Sequence, residues 1–399
     1  MPRRGSRILF LLLAAALIIA GIPTGPTADA SLPRTGSNIH RWEPEYMAAG
    51  HSYSRRQALR HARHFDVIVA VRGAFSRYVG AMKAENPKLT LLVYENGGYS
   101  MHDNGSKYAG SLYARDKDGH KIRSRDFGNY LMDVSSSGWR SHVADQCLRL
   151  RADSGYDGCY LDSLGPAALD RSYVTGLPVN PRTGSVWTRS AWLAATHQLA
   201  SGVKTAIGAR PLVINGVQHG MAYYDPAGTT GVLADSIEGG MVELFIRPPF
   251  TSIRKHRSER QWRDDIKMLV DAGSHGRTLL CVTKVWISGT ASQMKRWHRY
   301  ALASFLLGTN GTSYFSYLDS KKTGRRDDIW VHDLGSATGS FVARASGVYQ
   351  RSFSNGIALV NPTGSSHRVR LGGRFVTQSG NVISRVTLAP YGGAVLASP

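Results

Sequence analysis

The stretch Gly155-Tyr156-Asp157-Gly158-Cys159-Tyr160-Leu161-Asp162-Ser163 decides how the rest of the chain is read. Its centre is short, apolar and aromatic, with Gly and Asp on either side, the punctuation of a buried strand. Side chains alternate along a strand, so Gly158, Tyr160 and Asp162 share one face while Cys159 and Leu161 share the other. If Cys159 and Leu161 pack outward on helices, Asp162 points inward at the C-terminal end of its strand. A carboxylate there needs partners, because burying it alone is expensive. The plainer alternative is an Asp that caps the following loop.

Outward from this segment, short runs rich in β-branched residues alternate with longer amphipathic stretches, the rhythm of βα units around a parallel sheet. Strands are expected near Ile39 to Trp42, Val67 to Arg72, Leu89 to Tyr94, Gly158 to Asp162, Leu212 to Asn215, Met241 to Phe245, Leu279 to Val285 and Thr312 to Tyr317. That number suits an α/β chain closed into a (β/α)8 TIM barrel, whose catalytic groups sit at the C-terminal ends of the strands. Helices are expected at Ser54 to His64, Phe75 to Glu85, Ser137 to Asp153, Thr188 to Ile207, Ser258 to Ala272 and Ser292 to Leu307, several opening on a Ser or Thr cap. The polar, Gly-containing stretch from Glu95 to Tyr130 follows the third strand and reads as a rim loop.

After Asp319 comes a charged segment with Lys321, Lys322, Arg325, Arg326, Asp327 and Asp328. From about Ala345 short alternating strands are broken by Asn355-Gly356, Pro362-Thr363-Gly364, Gly372-Gly373 and Gly380-Asn381, which predicts a small C-terminal antiparallel β domain. The expected organisation is a signal peptide over 1–30, a barrel over 31–335 and the β domain over 345–399.

The signal expectation rests on Arg3, Arg4 and Arg7, the apolar run Ile8 to Ile22, and the ending Ala28-Asp29-Ala30. The run is short for a bilayer crossing, so a secreted protein, cell-wall associated and without stable membrane insertion, is expected. Cleavage would lower the formal charge from +21 to +19. Such an excess draws polyanions; no aromatic-studded basic stripe or helix-turn-helix pattern points to nucleic acid. The three cysteines, Cys147, Cys159 and Cys281, fit no zinc spacing. A Cys147 to Cys159 bridge is open, and a buried apolar role suits Cys159 and Cys281.

The run from Gly155 to Asp162 resembles the fourth strand of several barrel glycosidase families, and the order of elements is most similar to glycosyl-hydrolase-like family 15. Endo-α-1,4-polygalactosaminidases are a more distant likeness. Leu131-Met132-Asp133 before Gly138-Trp139-Arg140, Gly240-Met241-Val242-Glu243, and Asn355 to Pro362 carry the rest of the resemblance, which spans roughly 38 to 396. It implies a barrel glycosidase fold and names no substrate.

Glycoside hydrolysis usually needs two carboxyl groups. Asp162 is one candidate. Glu243 is the preferred second: alternation would set Met241, Glu243 and Phe245 on one face late in the sixth strand, and an apolar setting would raise its pKa for general acid work. A rim glutamate paired with Arg247 is the structural alternative, and Glu238 is the reserve. Asp133 either binds sugar hydroxyls or caps the turn at Ser135 to Ser137. Glu95, Asn96 and Asn215 end strands and are expected on the rim, where an amide suits a sugar diol. Lys284 and Trp286 offer a cation and a ring at the mouth, and Tyr94, Tyr99 and Tyr317 are candidate subsites or core. His61 and His64 share a helix face at the wrong end of the barrel and read as solvated, and no metal or cofactor motif is found. The expected function is hydrolysis of O-glycosidic bonds in a polysaccharide, an acidic one if charge decides. The rival expectation is a barrel without turnover that binds cell-wall polysaccharide. Oligomeric state is not legible.

Overall fold

A computed structural model of the chain describes residues 39–48, 52–229, 233, 237–309, 311–319 and 334–399. The expected signal segment over 1–30 and the charged segment from Lys321 to Asp328 lie outside them.

Eight strands form one parallel sheet in chain order: β1 (Trp42–Pro44), β2 (Val67–Ala70), β3 (Thr90–Asn96), β4 (Gly158–Asp162), β5 (Leu212–Asn215), β6 (Gly239–Val242), β7 (Thr278–Lys284) and β8 (Tyr314–Leu318). A parallel bridge between Arg41 and Phe315 joins the last strand to the first, with Phe315 N donating to His40 O at 2.9 Å. The cylinder is closed, which removes sheet edges. Helices α1 (Arg55–His64), α2 (Val79–Glu85), α3 (Ser137–Ser154), α4 (Arg189–Ile207), α5 (Gly220–Tyr224), α6 (Glu259–Ser274) and α7 (Ala291–Gly308) lie between consecutive strands.

Alternation sorts the side chains into two layers. Trp42, Val67, Val69, Leu92, Tyr160, Val213, Met241, Leu280, Val282, Tyr314 and Leu318 fill the cylinder, while Leu91, Val93, Cys159, Leu161, Ile214, Leu279 and Phe315 pack outward on the helices. A filled interior leaves the open end as the place for chemistry.

Local sequence explains the helix starts. Ser54 with Gln57, Ser258 with Gln261 and Thr290 with Gln293 form reciprocal capping boxes at α1, α6 and α7, each satisfying donors that an open helix end would leave orphaned. The Phe75 to Glu85 helix expected from sequence is instead split, with separate turns at Arg72–Phe75 and Ser76–Tyr78 before α2. The sixth strand begins earlier than its apolar residues suggest. Gly239 and Gly240 belong to it because a Cβ on Gly239 would stand 2.1 Å from Thr278 O; close approach of two strands, not side-chain propensity, selects glycine there.

Strands β9 (Val342–Ala343), β10 (Tyr349–Phe353), β11 (Gly356–Asn361), β12 (His367–Val376), β13 (Val382–Leu388) and β14 (Gly392–Ala397) form an antiparallel sheet in the order β9-β10-β11-β14-β12-β13. It packs through β11 and β14 against α7. A Cβ on Gly393 would meet Arg299 O at 2.6 Å, so this strand lies almost on the helix backbone.

Cys147 and Cys159 form a disulfide that ties α3 to β4 across a sequence separation of 12. The expectation of a lone apolar Cys159 is thereby corrected, whereas Cys281 is free and buried.

Candidate active site

The fourth-strand motif divides into scaffold and chemistry. Gly155 ends α3 in the left-handed region at φ 71°, where glycine carries no Cβ penalty. Tyr156 accepts from Phe75 N at 3.0 Å and donates to Val71 O at 3.2 Å. Asp157 accepts from Leu91 N at 2.7 Å and from the Lys83 ammonium at 2.6 Å. These three residues lock β4 beside β3 at the barrel's lower end. Only Asp162, at the upper end and facing inward, is left for a reaction.

Asp162 is held by three donors. Its Oδ1 accepts from Asn215 Nδ2 at 2.7 Å and from Ser163 N at 2.7 Å, and its Oδ2 accepts from Tyr94 Oη at 2.9 Å. Ser163 has a φ of 65°, a strained region for a residue with a Cβ, and that turn aims its N–H back at the carboxylate.

The second carboxylate is Glu243, the first residue after β6. Its Oε2 accepts from the same Asn215 Nδ2 at 3.1 Å, and its Oε1 accepts from Lys284 Nζ at 2.5 Å. One amide nitrogen therefore bridges the two acids. The two bonded oxygens can be no more than about 5.8 Å apart, which brings acids from two different strands to one point of the barrel mouth, as the paired carboxyl groups of glycoside hydrolysis require.

The expected apolar setting for Glu243 is corrected. Burial works against its charge, but the Lys284 ammonium, whose side chain is 2% exposed, and the Asn215 amide outweigh burial and hold the carboxyl below its ordinary range. Asp162 moves the other way: burial first, then the negative charge of Glu243, push it up. Of the two carboxyl groups, Asp162 is therefore the one that takes up a proton first as pH falls. Arg247 does not pair with Glu243; its guanidinium lies 4.3 Å above the Trp297 ring. The expected Met241, Glu243, Phe245 face also breaks, because the strand ends at Val242 and Phe245 turns outward onto Phe305.

Beneath the acids lies a floor of phenols. Tyr46, in the turn after β1, stacks on Tyr94 with ring centroids 4.6 Å apart and shares a 3.0 Å hydrogen bond with Tyr160 Oη. Tyr160 Oη donates to Met241 Sδ at 2.7 Å. Burial above all keeps Tyr46, Tyr94 and Tyr160 neutral, so they serve as donors. Tyr46 was missed from sequence, because a residue beyond a three-residue strand carries no periodic signal. On the opposite wall Trp286 lies 4.5 Å from Lys284 Nζ, beside the exposed ring of Phe250.

Several expected site residues fall elsewhere. Tyr317 faces the helices, donates to Met294 O at 2.8 Å and stacks on His298 at 4.4 Å; it is not a mouth residue because strand alternation sends it outward. Glu238 sits at the lower end of β6, bound to Lys204 and to Leu212 N at 2.7 Å, which removes it as the reserve acid. Glu95 points to the helix layer, opposite in sense to Tyr94, and burial lifts its carboxyl to about 7 despite Lys107 and Arg149 nearby. Asn96 does reach the site, donating to Tyr94 Oη at 3.4 Å and Ser163 Oγ at 3.2 Å. Asp133 binds Ser135 N at 2.9 Å and Ser135 Oγ at 2.6 Å, a local turn, while Ser136 caps α3. Tyr99 is buried and stacks edge-on with Tyr173. His61 is buried 3.6 Å from Glu43 rather than solvated. Among the described residues one trio, Asp116, Asp118 and His120, brings metal-ligand atoms within 4.8 Å of one another. It lies on the β3 to α3 loop, where Asp116 Oδ1 accepts from the backbone of Asp118 and His120 at 3.0 and 2.9 Å and so builds a turn.

A closed barrel with two inward acids ending β4 and following β6 defines a chain of the glycoside hydrolase barrel class. The profile of the hypothetical glycosyl hydrolase family 15 matches residues 83–357, and the chain belongs to that family. No curated protein matches it by sequence. Among solved structures it is similar to an α-amylase from Anoxybacillus, at 11% identity and a TM-score of 0.52 over 92% of this chain and 99% of that one. Amy13B of Eubacterium rectale gives 8% and 0.51 over 94% and 98%. The maltogenic α-amylase AmyB of Thermotoga neapolitana gives 10% and 0.51 over 90% and 98%. At these identities the likeness is one of fold.

Proposed function

We propose that this chain is a secreted, retaining glycoside hydrolase acting on a polysaccharide through Asp162 and Glu243. The observation that carries the reading is the single Asn215 amide nitrogen bonded to both carboxyl groups, since it holds two acids from different strands together at the mouth, where both can reach one glycosidic bond. Glu243, ionised beside Lys284, attacks the anomeric carbon as the glycosidic C–O bond breaks, and Asp162 delivers its proton to the departing oxygen. Asp162 then takes a proton from water, whose oxygen displaces Glu243 from the glycosyl ester and restores the starting state. Asn215 holds the geometry, Tyr94 positions the Asp162 carboxyl with Tyr46, Tyr160 and Asn96 packed around it, and Trp286 supplies a ring face for stacking. The Cys147 to Cys159 disulfide supports an oxidising destination outside the cytoplasm.

The experiment is a reducing-sugar screen over acidic, neutral and aminated polysaccharides, followed by proton NMR of the first-formed anomer. Retention is the expected result, and inversion overturns the covalent route. Asp162→Asn and Glu243→Gln should each lower kcat by about 10²-fold or more while leaving glycan affinity nearly unchanged. A barrel that only binds, the competing reading, would show affinity with no turnover to lose. Labelling with an activated 2-fluoro glycoside and peptide mass mapping should find Glu243 modified. The three donors on Asp162 favour the exchanged assignment, and a label on Asp162 would establish it.

A further inference from the structure

The C-terminal sheet carries a charge pattern for which hydrolysis has no use. From Leu334 to Pro399 the chain holds six arginines and no lysine, aspartate or glutamate. Arg351 is buried and caps α7. Arg344 is half-buried and donates to Arg370 O at 2.9 Å. The other four, Arg368, Arg370, Arg374 and Arg385, are exposed, and among the described residues no carboxylate pairs with them.

Their placement is ordered. On β12, Val369 and Leu371 turn into the small core of the sheet, so Arg368 and Arg370 project from the other face. In the register of β12 with β13, Arg370 stands directly opposite Arg385, and Arg368 opposite Thr387. Like charges directly opposite each other destabilise a strand pair. Residues two apart on a strand lie about 6.6 Å from each other and direct cross-strand neighbours about 5 Å, so three guanidinium groups rise from one compact patch. Arg374 follows after the irregularity at Gly372-Gly373.

We propose that the outer face of the β12–β13 hairpin binds a carboxylate-bearing polysaccharide and holds its chain on the enzyme away from the barrel mouth. Guanidinium groups engage carboxylates through paired N–H donors, and a polymer with a carboxylate on each sugar meets several of them at once. Charge complementarity selects an anionic occupant; the choice of a glycan over another polyanion rests on the hydrolase reading above.

The test uses the full chain and polygalacturonate at 0.15 M salt, with dextran as neutral and duplex DNA as alternative polyanion. The double variant Arg370→Ser with Arg385→Thr should bind polygalacturonate at least tenfold more weakly, with an unchanged or higher Tm because the opposed charges are gone. Arg56→Ser with Arg60→Ser removes the same charge from exposed positions on α1 and should change affinity less than twofold. Equal losses in the two variants, no loss in the first, or tighter binding of DNA than of polygalacturonate would overturn the proposal. Asp162→Asn should retain full polymer binding, and the hairpin variant should cleave short oligosaccharides at the normal rate. Binding that persists where no glycan is cleaved would sink the hydrolase reading and leave the surface standing.

Discussion

The two oxygens of Asp162 are not equivalent, and this fixes where its proton sits. Oδ1 faces two N–H donors that cannot reverse, whereas Oδ2 faces the Tyr94 hydroxyl, which can donate or accept. A proton on Asp162 therefore resides on Oδ2. Lys284 sets the complementary state of Glu243. In Lys284→Met burial would be opposed by the Asn215 amide alone, so the Glu243 carboxyl should rise, and the acidic limb of the kcat/KM profile should move to higher pH. Because the folded-state pKa of Glu243 is depressed, its contribution to stability is present above the ordinary carboxyl range and lost as pH falls through the folded value. That acid-side loss should shrink in the variant. Glu95 has the opposite sign. Its carboxyl is raised from 4.5 to about 7, so between those values the folded chain holds a proton that the unfolded chain has released, and stability declines as pH rises. Glu95→Gln should flatten the decline, by on the order of 2–3 kcal/mol across the window, as read from urea denaturation at pH 4.5 and pH 8.

Among the elements, α7 is the junction between barrel and C-terminal sheet. Its last carbonyls are satisfied from the other domain: Arg351 Nη1 donates to Leu306 O and Leu307 O at 3.2 Å and also to Thr309 O, while its Nε donates to Gly339 O at 2.9 Å. A cation at a helix C-terminus also meets the negative end of the helix dipole. Burial lowers the Arg351 pKa from its ordinary value without carboxylate support. Arg351→Met should cost about 2–3 kcal/mol, seen as a lower Tm with barrel activity retained at 25 °C. The element starts were legible in advance because capping boxes are local. Ser258 and Ser54 announce their helices by spacing alone, whereas α7 was expected from Ser292 and is capped two residues earlier, by Thr290. The sixth strand was misplaced for the converse reason: Gly239 and Gly240 look like a turn until Thr278 is seen pressed against them.

At the scale of the whole molecule, the Cys147 to Cys159 disulfide spans the α3 to β4 step that delivers Asp162. Closing so short a loop should be worth about 3 kcal/mol. Cys147→Ser with Cys159→Ser, or full reduction, should lower the midpoint of urea unfolding accordingly, and an unchanged midpoint would show that the bond is not structural.

The chain's alternation of short apolar strands with capped helices was enough to define a closed barrel. Side-chain alternation within β4 was enough to turn Asp162 inward, because both patterns are local consequences of backbone geometry. Convergence was not local. Which acid answers Asp162, that Lys284 reverses the expected charge state of Glu243, that Asn215 joins the pair and that Tyr46 lies below it all depend on residues from separate strands meeting at one end of the cylinder. Those distances, and the burial that sets the protonation, exist only once the sheet has closed.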